Sequence, residues 1–138
     1  MTTALLAATL LLAASPAAVE RQQTVAGVQA TEDHWSEAFV SGDEAYLTAL
    51  LDPAYVSINR TGKARPRADI IALSRKVAAM PRQAYPKVAP HIELRGDTAV
   101  ASFQGKDETS VDVFYWKGGT WRALYSQHTA VPASTPAG

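Results

Sequence analysis

The sequence predicts an α+β domain, with helices first and a strongly bent, mainly antiparallel sheet after them. Three observations carry that expectation. Apolar residues recur at helical spacing from residue 19 to 51 and again from 66 to 80. From residue 85 on, short stretches rich in β-branched and aromatic residues alternate with Gly-centred turns. The 138 residues, 47% hydrophobic and 19% charged, have the balance of one globular core.

The chain opens on MTTALLAATLLLAASPAAVE, in which residues Ala4 to Ala14 carry no charge and Ser15-Pro16-Ala17 has the small-x-small form of a cleavage site. Residues 1–18 therefore read as a signal peptide, although no Lys or Arg precedes the apolar run; the competing reading is an apolar first helix of the domain. The run falls short of the roughly 20 apolar residues that span a bilayer, so export to the periplasm or exterior is expected rather than anchoring. The sequence has no cysteine, hence neither a lipid-anchored cysteine nor disulfides. Lys+Arg and Asp+Glu both total 13, leaving no basic field for nucleic acid or for a membrane surface once the leader is gone.

Between residues 19 and 41, Val25, Val28, Trp35, Ala38 and Phe39 form a helical stripe, and Gly42 suits its C-cap. Asp43 then N-caps a short second helix with Tyr46, Leu47, Leu50 and Leu51, ending at Asp52-Pro53. AYVSIN, residues 54–59, reads as a strand closed by RTGK. Pro66 fits the first turn of a third helix that presents Ile70, Leu73, Val77 and Met80 and stops at Pro81. KVAPHIEL, TAVASFQG, SVDVFYW and WRALYSQHT follow as an antiparallel meander, and residues 132–138 form an aperiodic tail expected to be disordered.

The stretches DHWSEAFVSGDEAYLTALLDPAYVSINRTGKARPRADIIAL and VDVFYWKGGTWRALYSQHT resemble the NTF2-like superfamily, and within it the SnoaL-like and ketosteroid-isomerase-like branch. The likeness runs from about Val19 to Val131, and its most specific parts are Trp35 to Asp43 and Trp121 to Thr129. It implies a cone of three N-terminal helices on a bent sheet, a pocket between the layers for a small molecule, and homodimers formed through the outer sheet face. No cofactor is implied.

The resemblance places Trp35 where isomerases present a hydrogen-bonding tyrosine; its position on the apolar stripe equally suits core packing. Glu32 lies one turn earlier, either a pocket acid or solvated helix surface. Asn59 falls near the general-base aspartate of that branch, and an amide cannot take a proton at neutral pH, which excludes isomerisation by that base. It either orients a ligand carbonyl or makes turn hydrogen bonds. Asp112 interrupts an apolar strand and aligns with the isomerases' protonated oxyanion-hole aspartate.

On the last strand Arg122, Leu124, Ser126 and His128 alternate onto one face. A two-residue Gly118-Gly119 turn would send Asp112 to the other face, whereas a three-residue loop with a glycine bulge would gather Asp112, Leu124, Ser126 and His128. The resemblance favours the second, in which Asp112 and His128 form an acid–base pair. Phe114 and Trp116 would then line an apolar pocket with Trp35.

His34, Asp33 and Glu37 share one helical turn without a second ligand cluster, so no metal is expected. Arg60, Lys63, Arg65 and Arg67 form a basic loop, either solvated or an anion clamp. Two functional readings follow. In the first, the domain binds a small apolar or aromatic molecule. In the second, it is a cofactor-independent lyase, isomerase or cyclase that uses Asp112 and His128. A purely structural homodimer with a plugged pocket is the third possibility.

Overall fold

The fold was analysed in a computed structural model that describes residues 14–82 and 88–132. Helices α1 (Pro16–Glu20), α2 (Val25–Ser41) and α3 (Glu44–Leu50) lead into β1 (Leu51–Ile58), and a short β2 (Ala64–Pro66) runs directly into α4 (Arg67–Ala78). Strands β3 (His91–Arg95), β4 (Thr98–Gln104), β5 (Glu108–Lys117) and β6 (Thr120–Ala130) complete it. They lie in one sheet of order β2-β1-β6-β5-β4-β3. The expected meander is present from β3 to β6, and β1 joins β6 in parallel.

The long stripe from residue 19 to 41 is two helices rather than one. Thr24 adopts an extended conformation, and its hydroxyl accepts the Gly27 N–H at 3.0 Å, which starts α2 afresh. The chain between α1 and α2 lies directly on that new helix. A Cβ at Gly27 would stand 2.0 Å from the Gln22 carbonyl oxygen, so only glycine allows the approach. The leader boundary expected after residue 18 thus falls inside α1; the apolar run up to residue 13 lies outside the described residues, as do residues 133–138 of the tail.

The corner after α2 follows the sequence reading. Gly42 takes φ 74° at the C-cap, and the Asp43 carboxylate accepts the Tyr46 N–H at 3.0 Å. The strand that follows begins at Leu51, three residues before the expected start, and includes Pro53. Its pairing to β6 skips from Leu51 to Val56, so the N–H that proline lacks is not needed there. Met80 is 62% exposed, because α4 has already ended at Ala78 and the chain turns before Pro81.

Alternation along the strands puts Tyr55, Ala99, Ala101, Phe114 and Trp121 on the face that meets the helices. The alanines keep that face shallow where α2 crosses, and Val28 of α2 is fully buried against it.

The β5–β6 hairpin decides which polar residues share this face. The turn is the two-residue one: Gly118 and Gly119 both have positive φ, Lys117 pairs with Thr120 and Trp116 with Trp121. That corrects the expected three-residue loop. The ladder then slips by one residue, because Val113 faces Tyr125 while Phe114 faces Ala123, leaving Leu124 as a bulge. Beyond the bulge Asp112 lies opposite Ser126 and Ser110 opposite His128. The expected face-sharing of Asp112, Ser126 and His128 therefore exists, produced by a bulge instead of a loop. Leu124 does not join them; it is 40% exposed at the bulge, which corrects its expected place in the pocket.

Candidate functional site

The concave face carries a buried polar cluster among aromatic rings. Glu32 follows Val28 by four residues and precedes Trp35 by three, so all three lie on the stripe of α2 that meets the sheet. Only 5% of Glu32 is exposed, which overturns its reading as solvated helix surface. Asp112 of β5, 7% exposed, faces it and shares a hydrogen bond with it.

From β1, the Tyr55 hydroxyl donates to Ser126 Oγ at 2.7 Å, and the Ser126 hydroxyl donates to Asp112 Oδ1. Tyr55, Ser126 and Asp112 thus form a chain of donors that ends on a carboxylate. Trp35 lies across it, meeting both Tyr55 and Phe114 edge-on at 5.9 Å.

Electrostatics separates the two acids. Burial pushes Glu32 well above the ordinary carboxylate range, and the neighbouring charges of Asp112 and Asp33 push it further. Burial also raises Asp112, to about 6, while the Ser126 hydrogen bond, the His128 ring and the Glu32 hydrogen bond hold it down. Burial raises both acids, so the pair holds a proton above the ordinary carboxylate range. Glu32 Oε1 has no hydrogen-bond partner although it is buried; among the described residues Arg67 Nε is in the same condition.

His128 stands at the rim of the same face. Its Nδ1 lies 2.8 Å from Glu108 Oε1, and Glu108 Oε2 lies 3.5 Å from Arg60 Nε. The carboxylate that orients the imidazole is therefore Glu108, whereas Asp112 acts on the ring only through charge. The expected Asp112–His128 pair is replaced by two pairs, Asp112 with Glu32 and His128 with Glu108. Alternation along β5 places Glu108 on the face of Asp112, a signal available in the sequence once its register is known.

Asn59 is engaged elsewhere. Its Oδ1 accepts from the Thr61 N–H at 3.0 Å, the Thr61 hydroxyl at 2.8 Å and the Lys63 N–H at 2.9 Å, closing the β1–β2 turn. Its oxygen serves the turn, the second of the two roles its sequence position allowed. Trp116 also lies apart, packed edge-on to Trp121 at 5.1 Å and about 14 Å along the strand from Asp112. Phe114 is fully buried beneath Trp35, as the floor of the cluster.

The basic loop does not converge: Arg60 turns to Glu108, and Arg67 donates to the Thr48 carbonyl. The His34 Nδ1 lies 2.7 Å from Glu20 Oε1, and the ring stacks on Tyr46 at 3.7 Å.

Two hollows flank the cluster without reaching it. One of about 90 Å³ lies under α1, bordered by Glu20, Thr31, Tyr46, Trp121 and Arg122. The other, about 310 Å³, is a groove on the outer sheet face along Val111, Val113, Tyr125 and Gln127. Neither of these two hollows is bordered by Glu32 or Asp112.

The architecture is that of NTF2-like proteins. An NTF2-like protein from Cytophaga hutchinsonii superposes with a TM-score of 0.68 over 80% of this chain and 100% of that one, at 18% identity. The CamKII hub homology domain of Chlamydomonas reinhardtii matches over 76% and 96% of the two chains, with TM-score 0.56 and 19% identity. A Parabacteroides distasonis protein provisionally described as a ketosteroid isomerase matches over 79% and 89%, with TM-score 0.58 and 13% identity. No family model matches the sequence, and no curated protein matches it.

Proposed function

We propose that this chain binds a small apolar or aromatic molecule on the concave side of its sheet, with Trp35, Tyr55 and Phe114 as the apolar walls. The buried Glu32 oxygen without a partner carries this reading. An unsatisfied buried acceptor costs roughly 1–3 kcal/mol, and a ligand hydrogen-bond donor reaching it removes that cost. Trp35, half-buried and resting on Tyr55 and Phe114, is the ring that a ligand displaces on its way in. The test follows the Trp35 indole N–H resonance, assigned with Trp35→Phe, while small aromatic compounds are added. Saturable shifts at Trp35 with little change at Trp116 and Trp121 support the reading; unmoved Trp35 under every compound rejects it.

A second reading rests on the contact of the two acids. Burial raises both Glu32 and Asp112, and a carboxyl pair that holds one proton can act as acid and base toward a ligand, as a cofactor-independent isomerase, lyase or cyclase requires. In it Asp112 works with Glu32, and His128 with Glu108 guards the rim. Loss of a measured turnover in both Asp112→Asn and Glu32→Gln, at saturating ligand, is the outcome that distinguishes it from binding alone.

We further propose that two copies associate through the outer sheet face, where Val111 is 38% exposed beside the groove. Val111→Lys lowering the mass measured by light scattering to that of one chain is the expected result. Export remains the proposed fate of the chain, and the N-terminal sequence of the protein recovered outside the cytoplasm tests it.

A further inference from the structure

We infer that the polar group taken by this site is a protonated amine, carried on a small apolar or aromatic body. The inference rests on the binding reading above and assigns the chemistry of its ligand. Glu32 and Asp112 put two carboxyl groups within hydrogen-bond contact behind a wall of rings, and among the described residues neither has an ion pair with a lysine or arginine. The charged groups that act on them are Asp33 from the same helix and His128 from β6, while the Tyr46 and Tyr55 hydroxyls lie within reach of the same field. Asp33 adds to the negative side, and the His128 ring is already engaged by Glu108. The interior is short of one positive charge.

It is also short of a hydrogen-bond donor. Glu32 Oε1 is buried and unpartnered, and Asp112 accepts on Oδ1 from Ser126. An ammonium group brings three N–H donors and a unit charge, enough for Glu32 Oε1 and the remaining Asp112 lone pairs together. The faces of Trp35, Tyr55 and Phe114 then suit the cation as well as the apolar body. A neutral alcohol supplies one donor and no charge. A carboxylate supplies neither and is repelled.

Two carboxyl groups in contact share a proton, and an arriving ammonium replaces it as the counter-charge. The proton passes from the pair to solvent, so binding of the amine releases protons, whereas binding of a neutral analogue does not.

The experiment is calorimetric titration of the whole protein at pH 7.5 with 2-phenylethylamine, 2-phenylethanol and 3-phenylpropionate, in two buffers of different ionisation enthalpy. The amine is expected to bind at least tenfold tighter than the alcohol, with a heat that changes between buffers by the amount of proton release, and the carboxylate is expected to give no saturable signal. Glu32→Gln and, independently, Asp112→Asn should each cut the preference for amine over alcohol by tenfold or more while the thermal transition of the fold is kept. An alcohol that binds as well as the amine, or amine binding with no proton release, overturns the inference and leaves the binding reading standing. Absence of binding by all three compounds, with Trp35 unmoved, overturns both.

Discussion

Helix α2 contributes to two carboxylate–tyrosine clusters that differ in burial and in how their oxygens are satisfied. In the first, Glu20 bonds His34 at 2.7 Å and Tyr46 at 3.3 Å, and the Tyr46 hydroxyl also reaches the Thr31 carbonyl. Both Glu20 oxygens are used, and the cluster lies where His34 is still 42% exposed. In the second, Glu32 and Asp112 are almost wholly buried, two acids stand side by side, and one oxygen has nothing to bond. The first cluster staples α1 onto α2 and α3. The second opposes folding when it is ionised, and its retention needs a reason other than stability. Hydrogen-bond satisfaction, more than residue type, separates structural polar groups from candidate functional ones in this molecule.

The sharpest break between the two clusters is in pH dependence. Asp112 is raised from 3.8 to about 6, so the folded chain holds this proton more tightly than the unfolded chain does. Its stabilising contribution is full below about pH 4 and lost as pH rises through about 6, a change on the order of 3 kcal/mol. Denaturant unfolding at pH 4.5 and pH 7.5 should show wild-type stability falling by most of that amount relative to Asp112→Asn. A difference that is the same at both pH values would remove the second cluster from the account.

The docking of α1 is the next largest effect. Gly27→Ala forces the Gln22 carbonyl away from α2, and overpacking of this kind costs about 1–3 kcal/mol. Hydrogen exchange should accelerate around residues 16–24 and leave the protection of β5 and β6 unchanged.

Ser126→Ala sharpens the contrast from within the second cluster. It takes from Asp112 the donor that holds its pKa down and leaves the buried Tyr55 hydroxyl with Ser57 alone, for a loss of roughly 1–2 kcal/mol near neutral pH. The Asp112 carboxyl resonance in carbon NMR should titrate at higher pH than in wild type. The smallest effect belongs to the exposed staple: His34→Ala is expected to cost about 1 kcal/mol or less. Its urea midpoint should drop slightly, while the titration of Asp112 stays as in wild type.

Much of the architecture was legible because it depends on local patterns. The stripe of α2, the cap pair Gly42-Asp43 and the four-strand meander each follow from residue spacing and turn chemistry. The break before α2 was missed because Thr24 caps a helix in mid-stripe, where periodicity continues across the gap. The candidate site was legible in part. Asp112 stood out as an acid in an apolar strand, but its partners depend on the Leu124 bulge, which no residue in WRALYSQHT announces. Glu32 was legible by spacing from Val28 and Trp35, yet a glutamate on a helix usually faces water. Asn59 kept two readings because the amide that closes a turn and the amide that holds a ligand look alike in sequence, and the three donors around its oxygen show the turn role.

The central claim is that the Glu32–Asp112 pair holds a proton well above the ordinary carboxylate range. Carbon NMR of the side-chain carboxyl groups, assigned with Glu32→Gln and Asp112→Asn and followed from pH 3 to pH 9, measures this directly. Asp112 is expected to titrate near pH 6 and Glu32 well above the ordinary carboxylate range. Two carboxyl resonances that both titrate near pH 4, like those of exposed acids, would contradict it.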